Sequence, residues 1–359
     1  MIKEIIYEYW KEELPEVFSR ETEIDSSDLI DDIVGIRRCG KTFLMFSKIN
    51  KLLKKVDKKS TIYINFENRK LFPLKYDYFN EIIEFIYSEK LLEKGKVYLF
   101  LDEVQKVEGW EKFVRGIYDE FKGKIKIFVS GSNASLISKD YGNLLTGRHL
   151  SKTLMPLSFK EFLNFKGYKI EKIITEKDRA NIKKFLEEYL TFGGFPEVVL
   201  SKNKEQMLSQ LFNDILSRDI LSRNVRKESI LEEFAYYLAG NVTSLLSFNK
   251  MADYFKSRGI KISVPTLESY FGLIKNSFLF FENLIFSYKI KDQFQNPRKI
   301  YCIDNGIFNF VGLKFSKDYG KMYENSVFLK LKKESFDNRL INIFYWKNIQ
   351  HEEVDFVVN

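Results

Sequence analysis

The sequence predicts an α/β protein: a parallel sheet flanked by helices, followed by a largely helical second half. Three stretches carry that expectation. GIRRCGKT (35–42) sets a glycine-rich turn between a short apolar segment and the helix-like run FLMFSKINKLLKKV. VYLFLDEVQ (97–105) and KIKIFVSGSN (124–133) are apolar runs of strand length that end in polar residues. Such runs suit strands buried on both faces, with the polar residues emerging at the carboxyl edge, where open parallel sheets bind ligands.

The remaining elements follow in chain order. MIKEIIYEYWKEELPEVF reads as an amphipathic helix with Ile2, Ile5, Ile6, Tyr9 and Trp10 on one face, ended by Pro15. Charges interrupt it throughout and no small-residue cleavage site follows, so it is not read as a signal peptide. DLIDDIVG supplies a strand through Ile30, Ile33 and Val34, although Asp31 and Asp32 make it unusually acidic. TIYINFE (61–67) is another strand, placed in sequence between the glycine loop and the acidic run.

Residues 158–227 read as helices: FKEFLNF, EKDRANIKKFLEEYL and KEQMLSQLFNDILSRDI, with GGFP (193–196) as a turn. Residues 228–303 read as three helices and two strands. The helices are ILEEFAYYLAG, FNKMADYFKSRG with Ser247 as cap, and VPTLESYFGLIKNS with proline in its first turn. The strands are LFFENLIFSY and RKIYCID, joined by KIKDQFQNP, which is the order of a winged helix–turn–helix. The expected domains are a core at 1–157, a helical lid or linker at 158–227, a winged helix at 228–305 and a partial α/β tail at 306–359.

Bulk properties exclude several classes. Of 359 residues, 45% are apolar and 30% charged, ordinary for a globular protein. No run approaches the length of a membrane span, so no membrane partner is expected. Two cysteines, Cys39 and Cys302, and two histidines, His149 and His351, leave no basis for a zinc site and point to a reducing cytoplasm. The net charge of +8 is spread along the chain, so it favours an anionic partner only mildly.

GIRRCGKT fits G-x-x-x-x-G-K-[ST], the loop that cradles phosphates with backbone N–H groups. The expected cofactors are ATP and Mg²⁺, bound by Gly35, Ile36, Arg37, Arg38, Cys39, Gly40, Lys41, Thr42 and Phe43. Lys41 would neutralise the β- and γ-phosphates, and Thr42 would hold the metal. A glycine turn before a lysine-rich helix is the plainer alternative. Asp102 is the second expected metal residue, and Glu103 the group that orients the attacking water; the plainer alternative is a polar strand end. At the tip of 124–133, Ser130, Ser132 and Asn133 either reach the γ-phosphate or its water, or only form a turn. Arg37 and Arg38 either grip phosphate bidentately or pair with acids such as Asp31 and Asp32, with structural pairing expected for one of them.

Taken in order, GIRRCGKT, YINFE, LFLDEVQ, SGSNASLIS, LLTGR, PLSFKEF, FGGFPEVV, RKIYCIDNG and EEVDFVV resemble a group of AAA+-related ATPases of archaea and bacteria. That group joins a P-loop core to a winged helix and a restriction-endonuclease-like tail. The resemblance runs from about residue 20 to the last residue. It implies a sheet in AAA+ order and Asn133 or Ser132 as a catalytic sensor. It also implies that Arg148 of LLTGR contacts phosphate, in cis or from a neighbouring subunit. In the tail, Glu324 and Asp355 match two of the nuclease acids, but no E-x-K follows before Asn359.

The function read from these residues is a Mg²⁺-dependent, ATP-hydrolysing switch associated with double-stranded DNA through its winged helix, alone or as an oligomer. The alternative is a weakly hydrolysing nucleotide-binding regulator that docks a protein, and a Mg²⁺ nuclease ranks third. In the DNA reading the helix from Val264 to Ser277 enters the major groove. Lys256, Arg258, Lys261, Lys289, Lys291, Arg298 and Lys299 would meet phosphates, as would Arg218, Arg223, Arg226 and Lys227 of the preceding segment. Nine basic against seven acidic residues over 228–303 make charge a weak argument for DNA.

Overall fold

The computed structural model describes residues 1–24, 27–133, 147–171, 175–221, 227–312, 318–350 and 352–359. The chain divides into two compact units, 1–35 with 40–154 and 36–39 with 155–359. Among the described residues no helix is long and apolar enough to cross a membrane.

The first unit holds a five-stranded parallel sheet: β1 (Ile30–Val34), β2 (Thr61–Asn65), β3 (Val97–Asp102), β4 (Ile125–Gly131) and β5 (His149–Thr153). Its order is β2-β3-β4-β1-β5, the order that the AAA+ resemblance implies. β4 therefore sits between β1 and β3, and the tips that carry Gly35, Ser130 and Asp102 lie side by side. TIYINFE, which separates loop and acid in sequence, forms the edge strand β2 instead. β3 and β4 are buried almost throughout, and Phe100 stacks on Phe128 with centroids 4.3 Å apart.

Helices cover the sheet: α1 (Ile2–Lys11), α2 (Lys41–Leu52), α3 (Asp77–Ser88), α4 (Leu91–Lys94) and α5 (Trp110–Glu120). α1 buries Ile2, Ile5, Ile6 and Tyr9, and its Trp10 Nε1 donates to Thr61 O at 2.9 Å. It ends at Lys11, ahead of Pro15, because Glu12 already adopts extended backbone. The acidic strand β1 is stable because its carboxylates are partnered. Asp31 pairs with Lys126 of β4, and Asp32 with His149 and Ser151 of β5. β5 was not expected, since HLSKT shows no apolar alternation; its backbone pairing with β1 makes it a strand.

In the second unit, helices α6 (Phe159–Phe165) and α7 (Glu176–Phe192) start at capping boxes, Ser158 with Glu161 and Thr175 with Asp178. α8 (Pro196–Leu200) begins inside the expected GGFP turn, and α9 (Lys204–Ile215) runs on into a π-helical segment, Leu216–Leu221. Then come α10 (Glu228–Gly240), β6 (Leu245–Leu246), α11 (Phe248–Ser257) and α12 (Val264–Asn276), the last two capped by Ser247 and Ser263. β7 (Phe280–Ile285) and β8 (Arg298–Cys302) pair antiparallel, and the segment expected only to join them folds a short helix, α13 (Ile290–Gln295). α14 (Asn305–Val311), α15 (Tyr319–Asp337), β9 (Ile343–Lys347) and β10 (Glu353–Val358) complete the unit, whose sheet order is β10-β9-β7-β8-β6.

Asp304 is a buried tie within this unit. Its carboxylate accepts from Gly194 N at 2.6 Å and from Gly306 N at 2.8 Å. Gly193 sits at φ 75°, and a Cβ there would lie 1.8 Å from Asp304 Oδ1. Gly193→Ala should therefore cost about 3 kcal/mol or more of stability, measured by urea unfolding. Burial pushes the Asp304 carboxyl up to about 6, against the pull of N–H donors from Gly194, Gly306 and Ile307. The native state then keeps a proton that the unfolded chain has lost. The contribution is full below the unfolded value near 3.8 and is lost as pH rises through about 6. Stability curves of the wild type and Asp304→Asn from pH 3 to 8 should differ by that decline, on the order of 3 kcal/mol.

Candidate nucleotide site

The site is built at the carboxyl edge of the parallel sheet. After β1 the chain turns at Gly35, and Gly40 caps α2 at φ 101°, a backbone that side chains with a Cβ rarely adopt. α2 therefore begins at Lys41, with its first N–H groups and dipole directed at the loop. Lys41 is 4% exposed, and its Nζ lies 3.2 Å from Gly35 O and 3.4 Å from Glu103 Oε1. Thr42 Oγ1 donates to Asp102 Oδ2 at 2.6 Å.

Asp102 is fully buried and collects three hydroxyl donors. Thr42 and Tyr63 donate to Oδ2, Tyr63 at 2.8 Å, and Ser130 donates to Oδ1. Burial, with help from the neighbouring Glu103, raises its carboxyl above the usual range, while the hydroxyls act the other way. Among the described residues no cationic side chain forms an ion pair with it. A buried carboxylate beside a threonine hydroxyl, with only neutral donors around it, is an oxygen donor set that suits Mg²⁺. Glu103 follows at φ 52°, its N–H donating to Ser130 Oγ at 3.1 Å. Gln105 Nε2 reaches Glu103 Oε2 at 2.5 Å and Ser132 Oγ at 3.4 Å.

The structure thus brings together Gly35, Gly40, Lys41, Thr42, Asp102, Glu103, Ser130 and Ser132. Asn133 follows just beyond β4 and is half-buried, while Phe43 is exposed. Arg148 is not brought to the loop. It precedes β5 at the amino edge, where its carbonyl accepts from Ile30 N at 2.8 Å and its Nε lies 2.9 Å from Asp119 Oδ1. Sequence reasoning missed Tyr63 and Gln105. The signal for Tyr63 was a hydroxyl between Ile62 and Ile64 on a strand; nothing marked Gln105 apart from its place after the acids.

Ile36–Cys39 group with the second unit. There Arg37 Nε lies 3.1 Å from Asp219 Oδ2, and Arg38 meets Glu197 at 2.7 Å and Asp214 at 2.9 Å. Both arginines are ion-paired, where structural pairing was expected for one. Arg38 holds φ 63°, a strain of about 1 kcal/mol for a residue with a Cβ, and its two carboxylates help to offset it.

A family model described as an AAA domain matches residues 29–163, the span that carries β1 to β5 and the loop. An uncharacterized protein of Methanocaldococcus jannaschii, MJ1544, is 36% identical over 351 residues, covering 95% of this chain and 75% of that one. The chain belongs to the AAA+/P-loop NTPase superfamily. An uncharacterized protein of Haemophilus influenzae is 30% identical to this AAA+ protein over 338 residues, covering 92% and 80% of the two chains. A second model, of a domain of unknown function (DUF8612), matches residues 183–318. Among solved structures, the Walker-type ATPase paby2304 of Pyrococcus abyssi gives 14% identity, coverage of 79% and 90%, and a TM-score of 0.48. The Orc1 protein of Aeropyrum pernix in complex with DNA gives 10%, 94% and 92%, and 0.37.

The second unit of this AAA+ protein holds another charged cluster. Lys299 of β8 is 3% exposed, and its Nζ lies 3.0 Å from Glu324, 2.5 Å from Glu353 and 2.6 Å from Asp355. Tyr301 OH donates to Glu324 at 2.8 Å. Glu324 and Asp355, matched to nuclease acids in the sequence, do converge, but what they share with Glu353 is an ammonium group. Burial acts to strip the Lys299 proton, yet the three carboxylates outweigh it and hold the ammonium above the ordinary lysine range. Among the described residues no group of three or more His, Cys, Asp or Glu is placed to hold a metal. Lys299→Met should leave Glu324 and Asp355 without their cation, while Glu353 keeps Lys347 at 2.8 Å, and lower stability by about 3 kcal/mol at pH 7, read by urea unfolding.

Proposed function

We propose that this AAA+ protein is a Mg²⁺-dependent ATPase switch. The observation that carries the reading is the Thr42 hydroxyl 2.6 Å from the buried Asp102 carboxylate, with the Lys41 ammonium and Glu103 beside it. Thr42 and Asp102 are the residues that would hold Mg²⁺, which when bound neutralises charge on the β- and γ-phosphates. Loop N–H groups and Lys41 bind the phosphate oxygens; to do so, the ammonium moves from Glu103 to the triphosphate. Released from Lys41, Glu103 accepts a hydrogen bond from water and orients it in line with the γ-phosphorus. Ser132 and Asn133 stand at the tip of the neighbouring strand for contact with that phosphate or water. Arg148 reaches a phosphate only as a residue offered to a neighbouring copy.

The helices of 158–227 form the lid or linker in this reading, and 228–305 the winged helix. The order helix, short strand, helix, helix and two antiparallel strands supports the second assignment, as does α12 with its serine cap. α12 would meet the major groove of double-stranded DNA, with phosphates contacted by Lys256, Arg258 and Lys261. Arg223 and Arg226, also named for such contacts, lie outside the described residues. The alternative, a nucleotide-binding regulator that hydrolyses weakly, draws on the ion pair that holds Glu103 against Lys41.

Phosphate release over many turnovers, with and without double-stranded DNA at several salt concentrations, separates the two. Lys41→Ala should abolish ATP binding. Glu103→Gln should bind ATP like the parent and hydrolyse it roughly 100-fold more slowly. Unchanged turnover in Glu103→Gln would remove Glu103 from the mechanism.

A further inference from the structure

Asp102 has a partner that the phosphate-loop pattern does not contain. Tyr63 projects from β2, which pairs with β3 in a register that sets Tyr63 opposite Phe100 and Asn65 opposite Asp102. Its hydroxyl reaches Asp102 Oδ2 at 2.8 Å, the same oxygen that takes the Thr42 hydroxyl at 2.6 Å. The ring is fixed by aromatic neighbours, Phe46 of α2 at 4.8 Å and Tyr9 of α1 at 5.8 Å between centroids. The phenol therefore has little freedom to follow the carboxylate, and the carboxylate is held to the phenol.

We propose that Tyr63 is a positioning residue for the metal site, setting the rotation of the Asp102 carboxylate toward the cation of the bound nucleotide. The inference rests on the ATPase reading above and adds a residue to it. Oδ1 is gripped by Ser130 of β4 and Oδ2 by Tyr63 of β2, so the carboxylate plane is anchored from both flanking strands. The Thr42 hydroxyl keeps lone pairs for a cation while its O–H donates to Oδ2. Without the phenol, Oδ2 has only the threonine proton, and the carboxylate can turn about its bond to Cβ. Groups that orient a metal-binding carboxylate change metal affinity by about 10- to 100-fold when removed.

Tyr63→Phe tests this, because the ring and its packing remain. The readouts are Mn²⁺ affinity of the protein–ATP complex by electron paramagnetic resonance and ATP affinity in excess EDTA by calorimetry. The expected result is Mn²⁺ affinity at least tenfold lower with EDTA-state ATP affinity within about twofold of wild type. Tyr9→Phe, which removes a neighbouring hydroxyl bonded to Thr61, should change neither quantity. In an Asp102→Asn background, Tyr63→Phe should have no further effect on Mn²⁺ affinity.

Wild-type Mn²⁺ affinity in Tyr63→Phe would overturn the role of Tyr63 and leave the ATPase reading standing. An equal loss of EDTA-state ATP affinity, or a further loss in the Asp102→Asn background, would overturn it too, as signs of a merely structural role. A wild-type protein that binds neither ATP nor Mn²⁺–ATP would overturn both.

Discussion

A carboxylate buried from solvent must be held by whatever the fold supplies, and Asp102 is that carboxylate. Its three hydroxyl donors come from separate elements: Thr42 from α2, Tyr63 from β2 and Ser130 from β4. Each element is placed by its own packing, and the carboxylate records all three placements at once. Hydroxyls satisfy its hydrogen bonds and favour its ionised form, while burial and Glu103 act the other way. The sheet order produces this arrangement. Inserting β4 between β1 and β3 puts a serine tip beside the loop and the acid together.

The same unit handles its other buried charges differently. Asp31 and Asp32 lie in the middle of the sheet, yet they face charged or polar partners from the strands on either side. These contacts tie β1 to β4 and β5. Within one sheet, the carboxylates inside β1 meet Lys126, His149 and Ser151, whereas the carboxylate at the tip of β3 meets hydroxyls alone. Lys41 and Glu103, at the same edge of the sheet, form an ion pair at 3.4 Å.

In the second unit, long-range ties dominate. Asp304 receives backbone N–H groups from the turn before α8 and from the start of α14, and Lys299 joins carboxylates from α15 and β10. Such ties cost desolvation, and they pay it back only where every member is satisfied. The Asp304 tie accompanies the close approach of backbone at Gly193, where a Cβ would collide with its carboxylate, and a Leu157 N–H bond to Gly194 O at 2.7 Å accompanies that at Gly194.

What could be read from residues alone was whatever depends on near neighbours in the chain. GIRRCGKT determined its own turn and helix start, because glycine freedom and the helix N-terminus are local. Apolar runs determined β3 and β4, since strands buried on both faces need no alternation. The Ser247 cap and Pro265 determined where α11 and α12 begin. Only the tertiary structure decided what faces what: that HLSKT is a strand, that KIKDQFQNP holds a helix, and that Arg148 lies at the amino edge of the sheet. It also decided that Lys299 sits among Glu324, Glu353 and Asp355, and that Tyr63 meets Asp102. The reason is physical. Ion pairs and hydrogen bonds between distant segments depend on sheet order and side-chain reach, and no periodicity along the chain encodes either.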